Sequence, residues 1–382
     1  MGKQHTTRRD LLKMAGFGTA AALAATADTH SAETQDERFV DKSFFIRPEE
    51  LTLRFLHGEG RRRLSFDRFE GTPQAWRKSC RAKLAELLGF VAPSPCSARR
   101  VRSTEHEGAH IEAWVMRVDE QLSIPAYLLS SKPVTKAQKV VMAIHGHGEA
   151  ESCVGVRDDY HHAFALRLAQ AGHVVLCPAL RGFGALGDMA FGDERYCLDY
   201  WKSRRGRQFT LISDAFLYGQ TVIGQTIADL LRWEMWLNKT YGVQTVDVAG
   251  ISYGGDLAAT YPVFSDRVGN IYASGTLGSF AGIFSRCYNA PAHGIPGVLN
   301  WMDRSDIAGL NAPRPIRLHY GERDTPGPHN NSASYNETVE PALAELRAIY
   351  KAFGATSAVS LYVTPGAWHE MDNEDLQQFL AG

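Results

Sequence analysis

Thr245-Val246-Asp247-Val248-Ala249-Gly250-Ile251-Ser252-Tyr253-Gly254-Gly255 is where the architecture of this chain can be read. The first five residues are strand-like, with Val at alternate positions, and the residues from Gly254 to about 262 have helical character. Between them lies G-x-S-x-G. A chain with 35 glycines matches that pattern by chance, but a tight turn from strand to helix makes it specific. Such a turn forces the serine into a strained backbone conformation. It presents the hydroxyl at the carboxyl end of a sheet, over the positive end of a helix. Ser252 is therefore the candidate nucleophile.

The flanking sequence repeats the strand–helix rhythm. Val140-Val141-Met142-Ala143-Ile144 is a continuous apolar run ending in His145-Gly146-His147-Gly148, as a strand buried on both faces would be. Helices are predicted at about 160–171, 218–238, 254–262, 337–353 and 373–381. They alternate with strands at 173–178, 245–250, 270–276, 315–320 and 358–363. The alternation predicts an α/β fold with a mainly parallel sheet covered by helices on both faces. Upstream, residues 48–57 and 74–89 read as helices, the second opening on Thr72-Pro73 and carrying Trp76, Cys80, Leu84, Leu87 and Leu88 at helical spacing. Residues 99–106, 110–118 and 122–130 read as strands. Segments 182–215 and 278–313 are long and irregular, and are expected to form the rim of a pocket.

A serine hydroxyl needs a base, and the base needs an orienting acid. With an elbow of this kind the order along the chain is Ser, acid, His. The strand at 315–320 runs into Gly321-Glu322-Arg323-Asp324, and the last strand runs into Gly366-Ala367-Trp368-His369. We assign His369 as base and Asp324 as orienter. Glu322, two residues earlier, is the alternative acid, and Asp372 is too close to His369 in sequence. The oxyanion donors are expected to be the backbone N–H groups of Tyr253 and His147. Trp201, Tyr288, Trp301 and Trp368 are candidate pocket residues; each could equally be packing. His145, His147, His161 and His162 raise a metal site, but H-x-H lies in a glycine turn and no H-E-x-x-H occurs. The reading therefore carries no metal.

These motifs, taken together, resemble the dienelactone-hydrolase-like and acetyl xylan esterase-like branch of the α/β hydrolases. The stretches that carry the resemblance are Ile144-His145-Gly146-His147-Gly148-Glu149, Leu180-Arg181-Gly182-Phe183-Gly184, Gly250 to Gly255, Ala312-Pro313-Arg314-Pro315 leading to Asp324, and Gly366 to Glu370. The resemblance runs from about residue 74 to the end. It implies an α/β-hydrolase fold, hydrolysis of carboxylic esters, often acetyl esters of polysaccharides, no cofactor, and a triad at Ser252, Asp324 and His369. The chain departs from the pattern at Tyr253, where small residues are common, and at Ala367-Trp368 before His369. Dienelactone hydrolases use a cysteine nucleophile, so serine here argues against that reaction. A serine peptidase and a non-catalytic binding protein on the same fold are the alternatives. The segment before residue 120 is too short for the propeller domain of related peptidases, and the complete triad pattern weighs against loss of catalysis.

The first residues carry an address. Thr7-Arg8-Arg9-Asp10-Leu11-Leu12-Lys13 precedes a small-residue apolar run ending at Ala25-Thr26-Ala27. This resembles a twin-arginine signal over 1–27, which implies the twin-arginine export machinery as a partner and a periplasmic or secreted destination. The run is shorter than the ~20 residues a membrane span needs. Residues 28–47 read as a linker, 48–118 as an N-terminal extension and 119–382 as the catalytic domain. A net charge of −1 suggests neither nucleic acid nor an anionic membrane as partner. The expected partner is a small-molecule or carbohydrate ester. Of six cysteines, none forms a C-x-x-C pair, Cys177 reads as a core thiol, and Cys197 with Cys287 is a candidate bridge.

Overall fold

The computed structural model describes residues 62–120, 122–186, 204–280, 291–324 and 335–382. The expected signal, linker and helix at 48–57 lie outside them, as do Trp201, Tyr288, Cys197 and Cys287. Nine strands form one sheet: β1 (Ala98–His106), β2 (Ala109–Arg117), β3 (Ser123–Ser130), β4 (Lys139–Ile144), β5 (Val175–Pro178), β6 (Thr245–Ile251), β7 (Val268–Ser274), β8 (Ile316–Gly321) and β9 (Val359–Thr364). Their order is β1-β2-β3-β5-β4-β6-β7-β8-β9. The first three strands and β5 pair antiparallel in sequence, and from β5 to β9 every pairing is parallel. The sheet is thus mainly parallel. The two strands of the expected extension, β1 and β2, form one edge of it.

Eight helices accompany the sheet among the described residues: α1 (Pro73–Leu88), α2 (Phe164–Gln170), α3 (Arg204–Leu217), α4 (Val222–Tyr241), α5 (Tyr253–Thr260), α6 (Arg304–Gly309), α7 (Tyr335–Ala352) and α8 (Asn373–Ala381), beside a single turn at Ala150–Cys153. The core lies on both faces of the sheet. Val140, Met142 and Ile144 of β4 join the cluster that includes residues of α1, α4, α5 and α7. Val141 and Ala143 of the same strand join the opposite cluster with α2 and α8. Alternate side chains of one strand enter different cores, which is why β4 reads as an unbroken apolar run. Cys177 and Cys153 are buried thiols in the second cluster.

Residues 204–215, expected to be irregular, belong to α3. Arg204, Arg205, Gly206 and Arg207 open it, but Ile212 and Ala215 are one turn apart and pack on Val222. The helix near 160–171 is shorter than expected and begins only at Phe164, because His162 and Ala163 take left-handed backbone conformations. No helix among the described residues is long and apolar enough to cross a membrane.

Candidate active site

Ser252 sits between β6 and α5 with φ 59° and ψ −120°. For a residue with a Cβ such a conformation costs roughly 1–3 kcal/mol, and it persists only where the surroundings fix it. Here the Ser252 N–H donates to the Ser274 carbonyl at 2.9 Å, and the Ser252 carbonyl accepts from Asp256 N–H at 3.1 Å. The turn is closed by backbone proximity. A methyl group at Gly254 would lie 2.5 Å from the His145 carbonyl oxygen, so only glycine lets α5 pass this close to the end of β4.

Asp324 and His369 arrive from the ends of β8 and β9. Their loops are joined by Glu322 N–H to Thr364 O (2.9 Å), Arg323 N–H to Ala367 O (2.8 Å) and Gly366 N–H to Glu322 Oε2 (2.6 Å). Asp324 is fully buried, and its Oδ2 lies 2.8 Å from His369 Nδ1. Asp324 therefore meets the imidazole. Glu322, the other acid considered, points at the backbone of the histidine loop. Asp372 caps α8, accepting from Glu374 and Asp375 N–H at 3.0 Å each, and takes the Thr364 hydroxyl at 2.6 Å.

A ring of contacts relates this pair to Ser252. Gly275 follows the residue that holds the Ser252 N–H, and a methyl group there would lie 2.5 Å from His369 Cε1 and 3.2 Å from Asp324 Oδ2. On the other side, a methyl at Gly146 would lie 2.9 Å from Ser252 Cβ and against the Tyr160 hydroxyl. The Tyr160 ring stands 5.5 Å from that of His369. Serine, imidazole and the loop at Gly146 are thus neighbours. Tyr160 is a member that the sequence reading passed over, although it abuts the His161-His162 pair singled out there.

Two of the histidines near this loop, His161 and His145, have fixed tautomers. Gly146 N–H donates to His161 Nε2 (2.8 Å), so the ring proton is on Nδ1, which donates to Asp159 Oδ1 (2.7 Å). Leu180 N–H likewise donates to His145 Nε2 (3.2 Å). Both lone pairs are used by backbone amides, which leaves neither ring a nitrogen for a metal. His162 pairs with Glu370 at 2.8 Å, and His147 stacks on His293 with ring centroids 5.4 Å apart. Burial pulls His161 below the usual imidazole range and drives His319 down to about 4. His319 bridges the Ser274 hydroxyl (2.7 Å) and Thr364 (2.9 Å), so a neutral ring ties β7, β8 and β9 together behind the site. As the first residue of α5, Tyr253 has an N–H without an intrahelical acceptor. Its ring is fully buried, and burial raises its phenol.

The aromatic residues expected in the pocket separate. Trp368 is 43% exposed beside His369, with the Arg323 guanidinium 5.6 Å from its ring. Trp301 is not brought to this group. Its ring carries Lys83 at 4.2 Å and Arg63 at 5.1 Å, on the side of α1, where it covers cationic side chains and helps seat the helix.

No protein-family model matches the sequence, and no curated protein sequence matches it. Solved structures do. A protein from Bacteroides fragilis provisionally described as an acetyl xylan esterase superposes with a TM-score of 0.63 at 16% identity, over 88% of this chain and 89% of that one. A methylesterase gives 0.57 at 16% identity, over 87% and 67%. A glucuronoyl esterase from Solibacter usitatus gives 0.55 at 12%, over 81% and 93%. With the strand order and the turn at Ser252, these likenesses show that the chain has an α/β-hydrolase fold.

Proposed function

We propose that this chain is an exported serine esterase that cleaves carboxylic esters, with esters of carbohydrates as its substrate class. The observation that carries the proposal is the strained Ser252 at the β6–α5 turn with a hydrogen-bonded Asp324–His369 pair beside it. Support for the substrate class comes from neighbours described as acetyl xylan, methyl and glucuronoyl esterases. In the first step the Ser252 hydroxyl attacks the ester carbonyl while His369 takes its proton. Asp324 holds the imidazole in the tautomer that can do so. The tetrahedral oxyanion is held by the N–H groups of Tyr253 and His147, next to the Gly146 N–H that donates to His161. The alcohol leaves with the proton from His369, and the acyl group stays on Ser252. Water, deprotonated by His369, then releases the acid and restores the serine.

Ser252→Ala is expected to lower hydrolysis of a short-chain aryl ester by about 10⁴-fold or more, with an unchanged unfolding temperature. Turnover retained by this variant would remove the proposal. A screen of acetylated oligosaccharides, uronate methyl esters and aryl esters identifies the acyl and alcohol groups. Export is a separate part of the proposal and rests on Arg8-Arg9 and the apolar run behind them. Lysines at both positions are expected to keep the protein in the cytoplasm, and unimpeded export would exclude the twin-arginine route.

A further inference from the structure

A second buried Asp–His pair lies beneath the nucleophile turn. Asp256, in the first turn of α5, hydrogen-bonds His293 Nδ1 through Oδ2. Its Oδ1 accepts from the Thr276 hydroxyl and pairs with the Arg304 guanidinium, whose Nη2 also lies 2.5 Å from Thr276 Oγ1. All four are buried: His293 is 0% exposed, Thr276 1%, Arg304 5% and Asp256 7%. A carboxylate at this depth stays ionised only because a cation and two donors face it. The charged Asp256 in turn fixes the His293 proton on Nδ1. Burial, helped by nearby His369, drives His293 down to about 3, so the ring is neutral near pH 7.

What the ring touches gives it a role. One face of His293 stacks on His147, with centroids 5.4 Å apart and planes at 12°. It also meets Tyr253 at 5.0 Å and 67°. Phe183 closes the group, 5.2 Å from His147 and 5.5 Å from Tyr253. His147 and Tyr253 are the residues whose backbone N–H groups hold the oxyanion in the mechanism above, and they belong to different segments of the chain. Donors of this kind act only within a few tenths of an ångström of their working distance. One of them lies in a loop flanked by Gly146 and Gly148, which has little stiffness of its own.

We propose that His293, anchored through Asp256 to the nucleophile helix, is a positioning residue that sets the spacing between the two oxyanion donors. It touches neither substrate nor nucleophile. It braces the His147 ring against the Tyr253 ring and so fixes one N–H relative to the other. The inference rests on the esterase reading and adds a part to it.

The test uses His293→Gln, which keeps an N–H for Asp256, and His293→Phe, which keeps a ring but leaves the carboxylate short of a donor. In both, kcat for an aryl ester is expected to fall about ten- to a hundredfold, with KM within about twofold. Affinity for a trifluoromethyl ketone, which forms a tetrahedral adduct, should fall by the same factor as kcat/KM. The pH profile set by His369 should not move. An unchanged kcat overturns the proposal. So does a raised KM at unchanged kcat, which would mean a substrate contact, and so does a displaced pH profile, which would mean proton transfer. In the wild-type chain, formation of the ketone adduct should shift the His293 ring ¹⁵N signals; unmoved signals overturn the proposal even if both variants unfold. A wild-type chain that neither hydrolyses esters nor binds the ketone is a failure of the esterase reading itself, and the brace falls with it.

Discussion

At the scale of single residues, two carboxylates two positions apart do different work. Asp324 is buried against His369, whereas Glu322 accepts a backbone N–H from the loop that carries His369. Asp324→Asn is expected to lower kcat by up to about 10⁴-fold, because the amide favours the wrong imidazole tautomer. Glu322→Gln should cost less than about tenfold, since Gln still offers an oxygen to Gly366 N–H. Steady-state kinetics on one aryl ester separates the two, and the reverse order would move the orienting role to Glu322. The turn at Ser252 and the meeting of Asp324 with His369 could be anticipated from sequence because each residue follows a strand, and strand ends converge at one edge of a parallel sheet. Tyr160, His161 and His293 could not. They reach the site through long-range packing and bonds to backbone, which leave no spacing signature. The one trace was the clustering of His145, His147, His161 and His162, read as a metal question when the rings in fact serve backbone amides, stacking and, at His162, the Glu370 carboxylate.

At the scale of elements, α1 shows how far local rules reach. Thr72 accepts Ala75 N–H at 3.2 Å, Pro73 opens the helix, and Gly89 ends it in a left-handed conformation. Trp76, Cys80, Leu84 and Leu88 are fully buried on one face. The Trp76 ring meets Phe66 at 5.0 Å, and its indole N–H donates to Leu64 O at 2.8 Å. Trp76→Ala should destabilise the protein by about 3–5 kcal/mol, through the lost burial and the cavity left behind. A shift of the urea midpoint at unchanged slope, with activity kept at low denaturant, is the expected signature; a loss below about 1 kcal/mol would mean that α1 is not part of the cooperative unit. Helices with caps and a regular apolar period were legible in this way. Residues 204–215 were not, because arginine and glycine masked a period of only a few buried positions.

At the scale of the whole molecule, buried neutral histidines make stability depend on pH. His319 titrates at about 4 and His293 at about 3 in the folded chain, against 6.5 for an ordinary imidazole. Below pH 6.5 the unfolded chain binds protons that the folded chain refuses, so acid favours unfolding. The stabilising contribution is complete above pH 6.5 and is lost as pH falls towards 4. Asp159, held down to about 2 chiefly by His161, adds a loss at still lower pH, since its contribution is complete only above 3.8. Asp303 and Asp306 act in the opposite sense, because burial raises both carboxyls. The unfolding temperature should therefore drop steeply between pH 6.5 and 4, and less steeply in His319→Gln. A flat profile across that window would contradict the burial of these rings.

The order of the central strands also governs when the chain can close. β4 pairs with β6 from Lys139 opposite Thr245 to Ile144 opposite Gly250, so the partner of β4 is synthesised more than a hundred residues later. Until then one side of an apolar, buried strand has no neighbour, and such non-local pairings close slowly. The nascent chain must carry an open, adhesive strand for much of its synthesis. A chaperone that masks β4 until β6 emerges would shorten the period of aggregation risk more than any aid to the N-terminal strands, whose partners follow at once.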